Sequence, residues 1–173
     1  MTAARMVRTA LIQTTGITPL EDQNKHNVAL VEQAAGQGAQ IVCLQELSTG
    51  PYFCQVEDPE WFSLAEPVPD GPTTTLMCAT AKRLGVVLVV PLFEIADNFY
   101  YNTAVVIDAD GTLLGKYRKS HIPHGNYFYE KYYFKPGNPG YPVFDTKFAR
   151  VGVYICYDRH FPEGARALGI NGA

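Results

Sequence analysis

The run from Val86 to Phe93 (VVLVVPLF) limits the fold of this chain more than any other segment. It is apolar throughout and rich in β-branched residues, so it favours a strand and offers no polar face to water. A strand with no wet face must be covered on both sides, as in the central strands of α/β sheets. Pro91 argues against a central place because it lacks a ladder N–H, but the rest of the run outweighs it. The flanking segments supply the cover. Asn24 to Gln37 places Val28, Leu30, Val31, Ala34 and Ala35 at helical spacing, ended by Gly36 and Gly38. Gly71-Pro72-Thr73 opens a second helix that continues to Leu84 and stops at Gly85. Val7 to Gln13 and Ile41 to Leu44 read as two more strands. The alternation predicts an α/β fold.

Beyond the central run, Asn102 to Ile107 and Leu113 to Arg118 form a hairpin across the turn Asp108-Ala109-Asp110-Gly111. Pro142 to Asp145 and Arg150 to Ile155 read as a second strand pair turning near Lys147. Phe161-Pro162-Glu163 marks a helix start, since Pro in the first turn loses no needed N–H. Two loops are long and aromatic, Ser48 to Asp70 and Ser120 to Tyr141, and the second exceeds an ordinary connector. The sequence shows no internal repeat and no linker, so 173 residues read as a single domain. It stops about two turns into the last helix with no closing strand, which predicts a chain truncated at its C-terminus.

Charge and cysteine usage exclude several functions. Lys and Arg number 14 against 17 Asp and Glu, for a net charge of −3, which opposes a general nucleic-acid or polybasic membrane binder. No apolar run is long enough to span a bilayer, and Met1 to Leu11 lacks the apolar core of a secretory leader. These features predict a cytoplasmic protein. The cysteines at 43, 54, 78 and 156 form no CxxC pair, and the histidines at 26, 121, 124 and 160 match no zinc spacing. No metal is expected.

Four residues carry possible chemistry. Cys156 lies between the strand-like Val151 to Ile155 and a helix start, a setting that can project a nucleophile from a sheet edge. Taken alone it fits a plain core thiol as well, as Cys43, Cys54 and Cys78 do. Glu46 closes the run Ile41 to Leu44, at the strand end where α/β folds place their sites, and suits a general base. Lys119 ends the cationic stretch Lys116-Tyr117-Arg118-Lys119. It fits either a solvated edge or an inward ammonium paired with Glu46. Glu130 lies within the second long loop and fits either a site carboxylate or an exposed one.

Together these residues belong to a pattern. Ile41 to Leu47 (IVCLQEL), Gly115 to Pro123 (GKYRKSHIP), Glu130 to Gly137 (EKYYFKPG) and Val151 to Glu163 (VGVYICYDRHFPE) resemble the nitrilase, or carbon–nitrogen hydrolase, superfamily in composition and order. The resemblance implies a four-layer α-β-β-α sandwich, here lacking its C-terminal part, and assembly as a homo-oligomer. It implies that Glu46 is the general base, Lys119 the catalytic lysine, Cys156 the nucleophile and Glu130 the second glutamate. Lys119 and the backbone N–H of Tyr157 would hold the oxyanion, with no metal or organic cofactor.

The same stretches look most like the branches that hydrolyse N-carbamoyl compounds, so a small-molecule substrate is implied. Arg159, three residues past the nucleophile, could clamp a substrate carboxylate, which favours a β-ureidopropionase-like activity on N-carbamoyl amino acids. It could equally pair with Asp158 or Glu163. Leu47 to Gln55 (LSTGPYFCQ), with Tyr52 and Phe53 expected to line a pocket, looks closer to N-carbamoylputrescine amidases. An aliphatic amidase or nitrilase, and an inactive or binding-only remnant, are the other readings.

Overall fold

The computed structural model describes residues 6–173, so the first five residues of the Met1 to Leu11 leader reading lie outside it. Among the described residues, five strands form one sheet: β1 (Thr9–Leu11), β2 (Ile41–Cys43), β3 (Val87–Ala96), β4 (Phe99–Ile107) and β5 (Leu113–Arg118), in that order. β1, β2 and β3 run parallel, whereas β4 and β5 return antiparallel. The VVLVVPLF run is therefore the middle strand. Pro91 costs β4 nothing. Its carbonyl, on the β2 side, accepts from Ser48 N–H at 2.9 Å beyond the last β2 pair, Cys43 with Val89.

Alternate side chains of β3 enter different layers. Leu88, Val90 and Leu92 face α1 (Leu20–Gly36) and α2 (Pro72–Leu84), packing with Val31, Met77 and Ala81. Val89, with Ala104, Val106 and Tyr117, faces a second sheet of β6 (Val143–Asp145) and β7 (Arg150–Gly152), packing on Phe144, Val153 and Ile155. On the far side of that sheet, α4 (Pro162–Ile170) closes down. Leu168 approaches Gly152 so closely that a Cβ there would lie 2.9 Å from it. The layers are helix, sheet, sheet, helix, the four-layer sandwich the sequence implies.

Several boundaries differ from the sequence expectation. α2 matches it, ending on Gly85 in a left-handed cap at φ 68°. α1 begins one turn earlier, at Leu20, because its first turns bury polar groups that an apolar pattern does not show. Asn24 Nδ2 donates to Thr73 Oγ1 at 3.0 Å, and Asn27 Nδ2 to the Ser48 carbonyl at 2.7 Å. The β3–β4 hairpin turns on Asp97 and Asn98, both at positive φ, which Asn and Asp tolerate. The Ser120 to Tyr141 loop contains a single helical turn, α3 (Glu130–Tyr133).

Candidate active site

Each functional side chain is set by an ordered element or by the chain just beyond its end. Glu46 follows β2, Asn102 lies on β4, Lys119 follows β5, and Glu130 opens α3. The main chain of Lys119 is fixed on two sides. Its N–H donates to the Asn102 carbonyl at 2.9 Å, and its own carbonyl accepts from Gly137 N–H at 2.8 Å. These bonds turn the side chain inward, away from the solvated edge that its cationic neighbours suggest.

The ammonium of Lys119 is completely buried and binds two carboxylates, Glu46 Oε1 at 2.7 Å and Glu130 Oε2 at 2.7 Å. Glu130 is equally buried, and its second oxygen accepts from the Tyr52 hydroxyl at 2.9 Å. Glu46 keeps 22% of its side chain exposed, and its Oε1 also accepts from Asn102 Nδ2 at 2.7 Å. Burial pulls the Lys119 pKa down, but the two carboxylates outweigh it and hold the ammonium above its ordinary value. Burial pushes Glu130 up, and the Glu46 charge adds to this against the pull of Lys119. Two carboxylates share one ammonium, so full ionisation leaves one negative charge in excess.

Cys156 stands in that field. Partial enclosure pushes its thiol up to about 11, and the charge and hydrogen bonding of Glu46 push the same way while Lys119 opposes. The resting group is thus a thiol beside a carboxylate that can take its proton. The residue lies at the start of a 3-10 turn (Cys156–His160), at φ 46°, in the left-handed region. The strand before it is shorter than expected. β7 ends at Gly152, and the Ile155 N–H goes to Asp158 Oδ2 at 3.2 Å instead of to a ladder. Tyr157 N–H follows directly, in the first turn, where helical amides have no intrahelical acceptor.

Cys156 opens onto a cleft of about 320 Å³ that is also lined by Arg159, His160, His124, Phe128 and Tyr157. Arg159 is exposed there. Its suggested partner Asp158 is fully buried and spends its carboxylate on Tyr117, His121 and Ile155.

Phe53 corrects the sequence reading. It is 3% exposed and packs on Trp61, Phe93, Tyr133 and Phe134, so it builds core instead of lining a pocket. The preceding residue, Tyr52, reaches Glu130, and this alternation separates their roles. Cys54 is buried as expected, but not remote: Glu130 and Glu46 add to the effect of burial in raising its thiol. Sequence reasoning missed Asn102 and Asp158, since a polar residue inside a strand or turn carries no local mark of what it will touch. Among the described residues no group of His, Cys, Asp and Glu could hold a metal ion. No described helix is long and apolar enough to cross a membrane.

This arrangement coincides with known proteins. The carbon–nitrogen hydrolase family model matches residues 8–173. The chain belongs to that family. It is 54% identical over 144 residues to an N-carbamoylputrescine amidase of Solanum lycopersicum, covering 83% of this chain and 48% of that protein. It is 37% identical over 180 residues to a β-ureidopropionase of Arabidopsis thaliana, covering 98% and 44%. A carbon–nitrogen hydrolase of Helicobacter pylori G27 superposes with a TM-score of 0.89 at 37% identity, over 96% of this chain and 57% of that one. The chain thus spans about half the length of the curated relatives it matches. Of these two curated relatives, the N-carbamoylputrescine amidase is the more similar in sequence and the β-ureidopropionase the less.

Proposed function

We propose that this family member hydrolyses the ureido C–N bond of an N-carbamoyl amine of the carbamoylputrescine type. The observation that carries the chemistry is the buried Lys119 ammonium, bonded to Glu46 and Glu130 beside the Cys156 thiol. The similarity to N-carbamoylputrescine amidases supports the substrate class.

In this reading Glu46 takes the thiol proton as the Cys156 sulfur attacks the carbamoyl carbon. Lys119 and the Tyr157 N–H receive the negative charge that develops on the carbonyl oxygen, where such donors are worth about 3 kcal/mol. The amine leaves with the proton held on Glu46, and an S-carbamoyl thioester remains. Water gives a proton to Glu46 and cleaves the thioester to carbamate, which decomposes to carbon dioxide and ammonia. The proton on Glu46 returns to the sulfur. Glu130 keeps the lysine charged and aimed, and is itself held by Tyr52. No step calls for a metal or an organic cofactor. The substrate is a small molecule, and the working form is a homo-oligomer, as the family resemblance implies.

One observation favours a second substrate. Arg159 lies in the cleft with His124 and His160 and without a carboxylate lining it, a setting that suits an N-carbamoyl amino acid better than a cation. Turnover of N-carbamoylputrescine against N-carbamoyl-β-alanine, in wild type and Arg159→Ala, decides between them. Preference for the cationic substrate, unchanged or improved in Arg159→Ala, supports the first reading. Preference for the acid, lost in Arg159→Ala, replaces it with the second. Turnover by Cys156→Ala would reject both.

A further inference from the structure

Asp158 is fully buried two residues past the nucleophile, and four donors converge on its carboxylate. Oδ2 accepts from the Tyr117 hydroxyl at 2.7 Å and from Ile155 N–H at 3.2 Å. Oδ1 accepts from His121 N–H at 2.9 Å and lies 2.7 Å from His121 Nδ1, which donates in the tautomer protonated there. The donors are not neighbours in the sequence. Ile155 precedes the nucleophile, whereas Tyr117 and His121 stand two residues before and two residues after Lys119. One carboxylate therefore ties the turn that carries the sulfur to the segment that carries the ammonium. The His121 ring then stacks on Phe161, 3.7 Å between centroids and 6° from parallel, at the other end of the same turn.

Cys156 needs such a tie. A cysteine at φ 46° is in a sparsely populated conformation, which persists only where the surroundings over-determine it. The bond from Ile155 N–H to Asp158 closes the backbone around it from both sides.

We propose that Asp158 is a positioning residue for the reaction, setting the Cys156 sulfur in register with Lys119 and Glu46. This rests on the active-site reading above. Asp158→Asn in the full chain tests it, because the amide offers one acceptor oxygen where the carboxylate offers two. A small displacement of reacting groups lowers kcat by about 100-fold, so a loss of that order is expected with KM nearly unchanged. Alkylation of Cys156 by iodoacetamide, followed on its own peptide by mass spectrometry, should slow as well. Tyr117→Phe removes a single donor and should give a smaller loss of the same kind, with the double variant no worse than Asp158→Asn alone.

A lowered melting temperature with wild-type kcat and wild-type Cys156 alkylation would overturn the proposal. If Asp158→Asn does not fold, Tyr117→Phe decides by the same two readouts. Alkylation requires no turnover. Slower alkylation in the variant of an enzyme that ignores carbamoyl substrates would therefore sink the substrate reading and leave the positioning role standing.

Discussion

Asn102 donates from Nδ2 to Oε1 of Glu46 at 2.7 Å, on the same oxygen that takes the Lys119 ammonium. Both donors thus bind one oxygen of the carboxylate, and Oε2 takes part in neither bond. The other end of the amide is unsatisfied, since Asn102 Oδ1 is buried with no hydrogen-bond partner. Relief of an unpaired buried acceptor stabilises, whereas loss of the donor frees Glu46 to rotate. Asn102→Leu should therefore keep or raise the melting temperature while lowering kcat by about 10- to 100-fold. Steady-state kinetics alongside a thermal melt check this. Parallel losses of stability and activity would show that Asn102 serves packing alone.

The Cys156 thiol should respond in opposite directions to its two charged neighbours. Enclosure accounts for the largest part of its rise to about 11, Glu46 adds to it and Lys119 opposes it. Glu46→Gln should bring the thiol pKa down, part of the way only, because enclosure persists. Lys119→Met should move it further up. The pH dependence of Cys156 alkylation measures both, and Glu46→Gln should yield a more acidic cysteine in an enzyme with almost no turnover. An unchanged profile in both variants would place the sulfur outside the field of these groups.

Part of this geometry was legible in the chain. VVLVVPLF had to be a covered strand because it has no polar face, and α2 had to stop at Gly85 because a left-handed cap there suits glycine. Glu46 at the end of β2 followed from where parallel strands deliver their side chains. The inward turn of Lys119 did not follow, since Lys116 and Arg118 on the same strand do reach a different partner, the buried Glu94. Strand alternation puts Lys116 and Arg118 on one face, and Lys119, past the end of β5, is held inward by the bonds that tie its main chain to Asn102 and Gly137. Phe53 and Tyr52 are adjacent and aromatic, and their division between core and site depends on Phe93, Tyr133 and Glu130, which come from three other segments.

Glu66 offers a test away from the chemistry. Its buried carboxylate caps the start of α2, accepting from Thr73 N–H at 2.8 Å and from the Thr73 hydroxyl. Thr73→Val removes the hydroxyl bond to Glu66 and the acceptor used by Asn24 Nδ2, both inside the core, and should cost about 1–3 kcal/mol, read from denaturant unfolding. Burial raises the Glu66 pKa above its ordinary 4.5 despite both bonds. The folded state then holds this proton more tightly than the unfolded chain. The stabilisation is full below 4.5 and is lost as pH rises through the folded value.

Glu94 should titrate with the opposite sign. Burial alone would raise it, but Arg118, Lys116 and the Thr103 hydroxyl bind its carboxylate and hold the pKa below 4.5. Lys116 and Arg118 meet Oε1 at 2.5 and 2.6 Å, and Arg118 Nε reaches Oε2 at 2.8 Å. This group contributes stability at pH values above 4.5 and loses it as pH falls through its folded value. Glu94→Gln leaves two cations at the sheet without their counter-charge, and breaking such a pair costs about 3 kcal/mol. Unfolding free energies from pH 7 down to pH 3 separate the two carboxylates. Glu94→Gln should be weakest relative to wild type near neutrality and converge on it in acid. Glu66→Gln should fall no further behind wild type at neutrality than in acid, since there it removes a carboxylate that burial disfavours. If both variants followed the same slope, the opposed shifts argued from burial and pairing would be wrong for one of them.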